Sequence, residues 1–133
     1  MKNNILNKSQ QIISNTKNTP EVIFDPKGNF KLRGRLIPEN AEDFFNHLEG
    51  LIDEYFINPA KITYVDICLE YMNSAGTKYL LDLIHKITHI HLKKDTKQFI
   101  IAWYFNDEDD YMLEKGMFFS SNLDIPFNFI KII

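Results

Sequence analysis

The sequence has little of what membrane, nucleic-acid-binding or disulfide-stapled proteins display. Among 133 residues there is one cysteine, Cys68, so no internal disulfide can form, and a reducing compartment is the simplest interpretation. No stretch approaches the ~18 consecutive apolar residues that a membrane span needs, and the first residues lack the apolar run of a signal peptide. The net charge of -3 provides no basic field for nucleic acid. We therefore expect a soluble, cytoplasmic protein that binds neither nucleic acid nor membrane.

Recognisable catalytic and metal-binding patterns are also missing. The sequence contains no nucleophile elbow, P-loop, paired glycine fingers or Cys/His pairing. His85 and His89 share one helical face at i, i+4 spacing, but no third zinc ligand is evident. The acidic run over 106–110 lacks the glycine and glutamate that an EF-hand loop requires, so a solvated turn capping the next helix is favoured. We predict no cofactor, no metal and no enzymatic activity.

What is present is the composition of one globular domain. Hydrophobic residues make up 44% and charged residues 25%, and eleven Phe with six Tyr provide large side chains for a core. Residues 1–18 are rich in Asn, Lys, Ser and Gln, which favours a flexible N-terminal tail over a weak helix. The folded domain is predicted over 19–133.

Strand and helix patterns alternate along this domain. The turn Asp25-Pro26-Lys27-Gly28 separates two short strand patterns, which predicts a hairpin over 21–24 and 29–36. The remaining predicted elements are a helix over 41–56 capped by Asn40, a strand over 62–69 buried on both faces, a helix over 75–92, a strand over 98–105, a helix over 111–119 and a closing strand over 125–133. This order predicts an α/β fold: one compact domain with a central mixed sheet of four to five strands flanked by amphipathic helices.

The junction Asn73-Ser74, between the buried-type strand and the second helix, is the main candidate site. The simpler interpretation is that Ser74 is the helix N-cap. The alternative is that Ser74 is a phosphoacceptor, because the positive end of a helix tolerates a phosphate. Gly76, in the first turn, would leave room for a phosphate or a partner's backbone.

Trp103 and Tyr104, at the end of the fourth strand, form a second candidate surface. Exposed aromatic residues at a strand end near a helix start often mark an interface, so both side chains are predicted to lie half in the core and half at the surface. Core packing remains the default interpretation for both.

Several short segments, in this order and spacing, resemble the SiaC family of bacterial regulatory phosphoproteins over about residues 19–130. They are Thr19-Pro20, Pro38-Glu39-Asn40 with Phe44-Phe45, Glu70-Tyr71-Met72-Asn73-Ser74 with Lys78, Trp103-Tyr104, Asp109, Glu114-Lys115-Gly116 and Pro126-Phe127. The resemblance implies a fold similar to STAS-type anti-sigma-factor antagonists and a partner-switching role. It also implies a serine/threonine kinase, a PP2C-type phosphatase and an effector that the unphosphorylated form binds, such as a diguanylate cyclase making cyclic di-GMP.

The family acceptor pattern is similar to Asn-Thr-Ser-Ser, and its threonine falls on Ser74. Ala75 and Gly76 replace the two hydroxyl residues that follow, and Thr77 is a less accessible fallback acceptor. The resemblance thus implies Ser74 as phosphoacceptor. Partner contacts are assigned around it and at the second candidate surface, to Tyr71, Asn73, Ala75, Gly76, Lys78, Trp103 and Tyr104.

Two other functions stay open at this point. The first is a small-ligand protein or enzyme with a pocket near Trp103, Asp66 and Ser74. The second is a constitutive scaffold subunit without a switch.

Overall fold

The structure, a computed structural model, describes residues 10–91 and 98–132. Residues 1–9 of the predicted tail and the end of the predicted second helix at Leu92 lie outside the described residues. In the described part, the strands are β1 (Gln11–Ile13), β2 (Glu21–Asp25), β3 (Asn29–Leu36), β4 (Ile62–Met72), β5 (Gln98–Asn106) and β6 (Asn128–Ile132), and the helices are α1 (Ala41–Tyr55), α2 (Ser74–His91) and α3 (Asp110–Leu123).

The six strands of the described part form one mixed sheet in the order β1-β2-β3-β4-β5-β6. The strands β1, β2 and β3 are antiparallel, whereas β3 to β6 run parallel. The predicted hairpin between β2 and β3 is confirmed: the amide of Gly28 donates to the carbonyl of Asp25 at 2.8 Å. Gly28 has φ +112°, and a Cβ there would lie 2.5 Å from the carbonyl oxygen of Ile62, so only glycine suits this turn.

The predicted α/β class is confirmed, with six strands instead of four to five. The additional strand, β1, lies inside the segment predicted as a tail. Three residues carry no period-2 pattern that a sequence reading can recognise, and β1 is held in place by pairing with β2.

The three helices of the described residues pack on one face of the sheet. They connect consecutive parallel strands that lie side by side, and such crossovers share one hand, so each helix reaches the same face. On this face α1 and α2 cover Val65 and Ile67, whereas α3 covers Trp103, the register partner of Ile67.

Among the described residues, no helix covers the opposite face of the sheet, which we call the open face, and this corrects one prediction. The strand β4 was expected to be buried on both faces, but only its alternate residues are buried, among them Val65 and Ile67. Tyr64, Asp66 and Cys68 point to the open face, where Tyr64 is 39% exposed and the other two are half-buried. An apolar run with few charges does not distinguish burial on two faces from burial on one, because Tyr and Cys suit both environments.

No helix within the described ranges is long and apolar enough to cross a membrane.

Candidate functional site

In the described part of the chain, three helices begin at the carboxyl edge of the parallel strands, because each helix follows the end of one of these strands. The helices α1 and α3 have the caps that short polar residues provide: Asn40 accepts from the amide of Asp43 at 3.1 Å and Asp109 from the amide of Met112 at 3.2 Å. Both caps agree with the sequence, which predicted Asn40 as a cap and the acidic turn as the start of the last helix.

The start of α2 differs from the prediction in one residue. Asn73, and not Ser74, is the N-cap: its side-chain oxygen accepts from the amide of Gly76 at 2.7 Å, and its carbonyl accepts from the amide of Thr77 at 2.8 Å. Asn and Ser are about equally good caps, so the sequence could not decide between neighbours. Ser74 is therefore the first residue of α2.

Ser74 is exposed and its hydroxyl is not used in the cap. Its amide and that of Ala75, which is also exposed, have no partner inside the helix, because they lie in the first turn. Lys78 is exposed one helical turn further on. Thr77, the fallback acceptor, is half-buried and its hydroxyl donates to the carbonyl of Asn73 at 2.8 Å. Of the two hydroxyl groups, that of Ser74 is the accessible one.

Gly76 was expected to face a partner, but it is buried and faces the end of β3. A Cβ at Gly76 would lie 2.5 Å from the carbonyl oxygen of Leu36 and 2.9 Å from the Cγ atom of the same residue. The glycine therefore lets the start of α2 pack closely on the sheet. Asn73, also expected to touch a partner, is half-buried in its cap.

One residue that the sequence analysis missed, Tyr111, completes the surface beside Ser74. Tyr71 is 44% exposed and stacks on Tyr111, which is 40% exposed, with ring centroids 5.6 Å apart. The hydroxyl of Tyr111 donates to the carbonyl of Met72 at 2.8 Å, which ties the first turn of α3 to the end of β4. The ammonium of Lys115 lies 5.3 Å from the centre of the Tyr111 ring, a cation–π distance. The family resemblance had marked Lys115. Its position near the end of β4 follows only from the parallel arrangement of β4 and β5, which brings the start of α3 next to that end.

We refer to Tyr71, Ser74, Ala75, Lys78, Tyr111 and Lys115 as the switch surface. It combines the Ser74 hydroxyl, which is not used in the cap, with two exposed aromatic rings and two cations. Burial raises the pKa of the Tyr111 phenol, and the neighbouring Tyr71 and Asp109 act in the same direction, so Tyr111 stays a neutral hydrogen-bond donor at physiological pH.

Trp103 does not belong to this surface, which corrects the prediction that it is half exposed. Its side chain is 0% exposed, its Nε1–H donates to the carbonyl of Met112 at 2.8 Å, and its ring packs on Phe119. Tyr104, its neighbour in β5, is half-buried and points to the opposite, open face, because successive strand residues alternate.

The pocket suggested for a ligand or an enzyme does not form from the expected residues. Asp66 and Tyr104 line a shallow depression of about 310 Å³ on the open face, which neither Trp103 nor Ser74 reaches. Burial raises the pKa of the Asp66 carboxyl, and Lys31 opposes this shift. Within residues 10–91 and 98–132, no three His, Cys, Asp or Glu side chains lie close enough together to hold a metal ion.

Comparison with solved structures shows that the fold has been observed before. A chain in the crystal structure of diguanylate cyclase SiaD in complex with its activator SiaC from Pseudomonas aeruginosa superposes with a TM-score of 0.82 at 19% identity, over 92% of this chain and 99% of that one. Apo-SiaC from the same organism gives a TM-score of 0.79 at 20% identity, over 94% of this chain and 99% of that one. Among curated proteins, none matches the sequence.

The sequence itself matches the family described as SiaC family regulatory phosphoprotein over residues 13–132, from the end of β1 to the end of β6. This match covers nearly the whole chain and includes every element that forms the switch surface. The chain therefore belongs to the SiaC family of regulatory phosphoproteins.

Proposed function

We propose that this protein is a non-catalytic partner switch, in which Ser74 is the phosphorylated residue and the switch surface binds the effector. A serine/threonine kinase adds the phosphate and a PP2C-type phosphatase removes it. The unphosphorylated form binds and regulates an effector such as a diguanylate cyclase. Because the kinase uses ATP, the exchange takes place in the cytoplasm.

The observation that carries the proposal is the position of Ser74. It is exposed at the first position of α2, and its hydroxyl is free because Asn73 provides the cap. A kinase must reach the acceptor oxygen, and this geometry gives access without unfolding. Thr77 meets neither condition, since it is half-buried and its hydroxyl is hydrogen-bonded.

The electrostatics of α2 also favour a phosphate at Ser74. The first turn of α2 contains no acidic residue, so no carboxylate compensates the positive end of the helix. The amides of Ser74 and Ala75 are available to the phosphate oxygens, and Lys78 lies one turn away. The phosphate stabilises the fold by about 0.3–1 kcal/mol, which is too little to rearrange it.

The main effect of the phosphate falls on binding. The aromatic pair Tyr71–Tyr111 is the kind of exposed surface that proteins use at interfaces, and it lies beside the acceptor. We expect a partner that covers this pair to cover Ser74 as well, because Tyr111 donates to the carbonyl of Met72, two residues before Ser74. Burying a phosphate of about -1.5 to -2 charges under apolar or acidic surface costs several kcal/mol. A loss of ~3–4 kcal/mol lowers affinity a few hundred- to a thousandfold.

The family and one solved relative support this role. The family is one of regulatory phosphoproteins, and SiaC of Pseudomonas aeruginosa is the activator of the diguanylate cyclase SiaD in the complex with the same fold. The departure from the family pattern at Ala75 removes a hydroxyl from an exposed position, so we expect the effector or kinase of this chain to differ in its contacts there.

Phosphopeptide mass spectrometry of protein isolated from its source tests the acceptor. We expect one phosphate on Ser74, none on Ser74→Ala, and an unchanged yield on Thr77→Val. Equal labelling of wild type and Ser74→Ala would show that another residue is the acceptor, and no phosphate at all would leave the scaffold role as the explanation.

Binding to a purified diguanylate cyclase from the same source tests the switch. Ser74→Glu should weaken binding strongly, although a carboxylate carries less charge than a phosphate, whereas Ser74→Ala should bind as well as wild type. The matched control is Ser121→Glu, an exposed serine near the far end of α3. Equal weakening by both glutamates would mean a general charge effect and contradict a surface centred on Ser74.

A further inference from the structure

The outer strand β6 has an unprotected edge. In the described part of the sheet, β6 pairs with β5 on one side only, and all five residues from Asn128 to Ile132 are exposed. The other outer strand, β1, has three residues and a single exposed large apolar side chain, Ile12. A very short strand is one of the ways in which proteins protect a sheet edge, and β6 does not use it.

Exposed apolar side chains lie on both sides of this edge. Ile130 and Ile132 pair in register with Tyr104 and Asn106 and point to the open face, and they are 37% and 39% exposed. Phe129 points to the helix face, is 37% exposed and lies against Gly116 of α3. The next two residues of α3, Met117 and Phe118, are more than half exposed.

The usual protective devices are weak here. Pro126 precedes β6, so no proline removes a backbone amide from the outer edge of the strand. The only charged residue in the strand is Lys131, and its ammonium lies 3.6 Å from the carboxylate of Asp107. Because that carboxylate partly neutralises the lysine, the edge presents backbone hydrogen-bonding groups and apolar side chains with little net charge.

The charge pattern of β6 decides which occupant fits. In an antiparallel pair of two β6 strands with the two-fold axis at Ile130, Lys131 of one copy lies opposite Phe129 of the other. Asn128 then lies opposite Ile132 of the second copy, and no like charges face each other, which cross-strand pairing requires. The aliphatic part of Lys131 can cover the facing Phe129, with the ammonium near its ring.

We propose that two copies of this chain associate through antiparallel pairing of their β6 strands, centred on Ile130, to form one continuous sheet. The interface is isologous, as in most protein dimers, and it satisfies both exposed edges at once. It places Ile130 of one copy next to Ile130 of the other and continues the open face across both copies. The proposal does not depend on Ser74.

Sedimentation velocity of the full chain over a wide concentration range tests the association. We expect the mass to rise from 15.7 kDa toward twice that value. Ile130→Lys should raise the dimer dissociation constant at least about tenfold, because two unpaired ammonium groups would face each other at the axis. The matched control is Ile12→Lys, which places the same charge on the opposite edge of the sheet and should leave the dimer unchanged.

Cysteine cross-linking tests the register and does not depend on the stability of Ile130→Lys. In a Cys68→Ser background, Ile130→Cys lies opposite itself and should form an intermolecular disulfide under mild oxidation, since paired Cα atoms lie about 4.5–5.5 Å apart. Asn128→Cys lies opposite Ile132 and should not. The proposal would be overturned if the mass stayed at 15.7 kDa at all concentrations. It would also be overturned if Ile12→Lys weakened the dimer as much as Ile130→Lys, or if the cysteines at 128 and 130 cross-linked equally well.

Discussion

The helices α2 and α3 begin at the same edge of the sheet and in the same way, yet only one of them is suited to gain a charge. Each is capped by a short polar side chain, Asn73 or Asp109, and each has a glycine packed against the sheet. The first turn of α3 already contains Asp110, whereas that of α2 contains no acid. A negative charge added at α2 meets an uncompensated helix end, and one added at α3 meets another carboxylate. This difference between the two helices favours α2 over α3 for the phosphoacceptor that we propose.

The largest effect is expected from filling the space at the two glycines. Gly76→Ala places a Cβ 2.5 Å from the Leu36 carbonyl, and Gly116→Ala places one 2.5 Å from the indole nitrogen of Trp103, so each should destabilise by about 1–3 kcal/mol. Gly50→Ala, in the exposed part of α1 with no atom within 4 Å, is the control and should stabilise by up to about 1 kcal/mol. Urea unfolding measures all three. If Gly76→Ala is as stable as Gly50→Ala, the start of α2 is not packed as described.

The caps are expected to have the next largest effect, and they distinguish Asn73 from its neighbour. Asn73→Ala and Asp109→Ala should each lower the free energy of unfolding by about 1 kcal/mol. Ser74→Ala should change it little, because the Ser74 hydroxyl takes no part in the cap. Thermal unfolding of the three variants measures the comparison. If Ser74→Ala lowers the free energy of unfolding as much as Asn73→Ala does, Ser74 contributes to the N-cap and the assignment to Asn73 alone is wrong.

The smallest effect is expected from exchanging charge between the two helix starts. Ser74→Asp should stabilise by about 0.3–1 kcal/mol, and Asp110→Ser should destabilise by a similar amount. Both changes should shrink in high salt, because exposed charges are screened. Unfolding at low and at high ionic strength measures this. Destabilisation by Ser74→Asp would argue against room for a phosphate at that position.

Local signals in the sequence were sufficient for most of the fold. The turn over 25–28 predicted the hairpin, and the periodicity over 41–56 predicted α1 almost to the residue. The same signals failed at β1, where three residues form a strand only because β2 lies beside them. They also failed at β4, since a strand of apolar and neutral residues does not reveal whether helices cover one face or two.

For the candidate site, too, local signals in the sequence identified some residues and missed others. Ser74 was singled out as the candidate acceptor from its place at the strand–helix junction and from the family resemblance. In the structure its side chain is exposed. Trp103 and Gly76 were assigned as partner contacts, but both are buried, because aromatic residues and glycines serve close packing as readily as binding. Tyr111 was missed, since it lies 37 positions beyond Ser74 (111 minus 74) and no local pattern links the two.

The sequence by itself determined the order of strands and helices from β2 onward, the mixed sheet and the residue that begins α2 after β4, because turns, caps and periodicity act over a few neighbouring residues. Only the tertiary structure decided that Asn73 caps the helix and that Tyr71 and Tyr111 stack near Ser74. It also decided that, within the described residues, one face of the sheet and the outer edge of β6 are uncovered. Each of these depends on which distant segments share an edge of the sheet, and that is set by the packing of the whole domain.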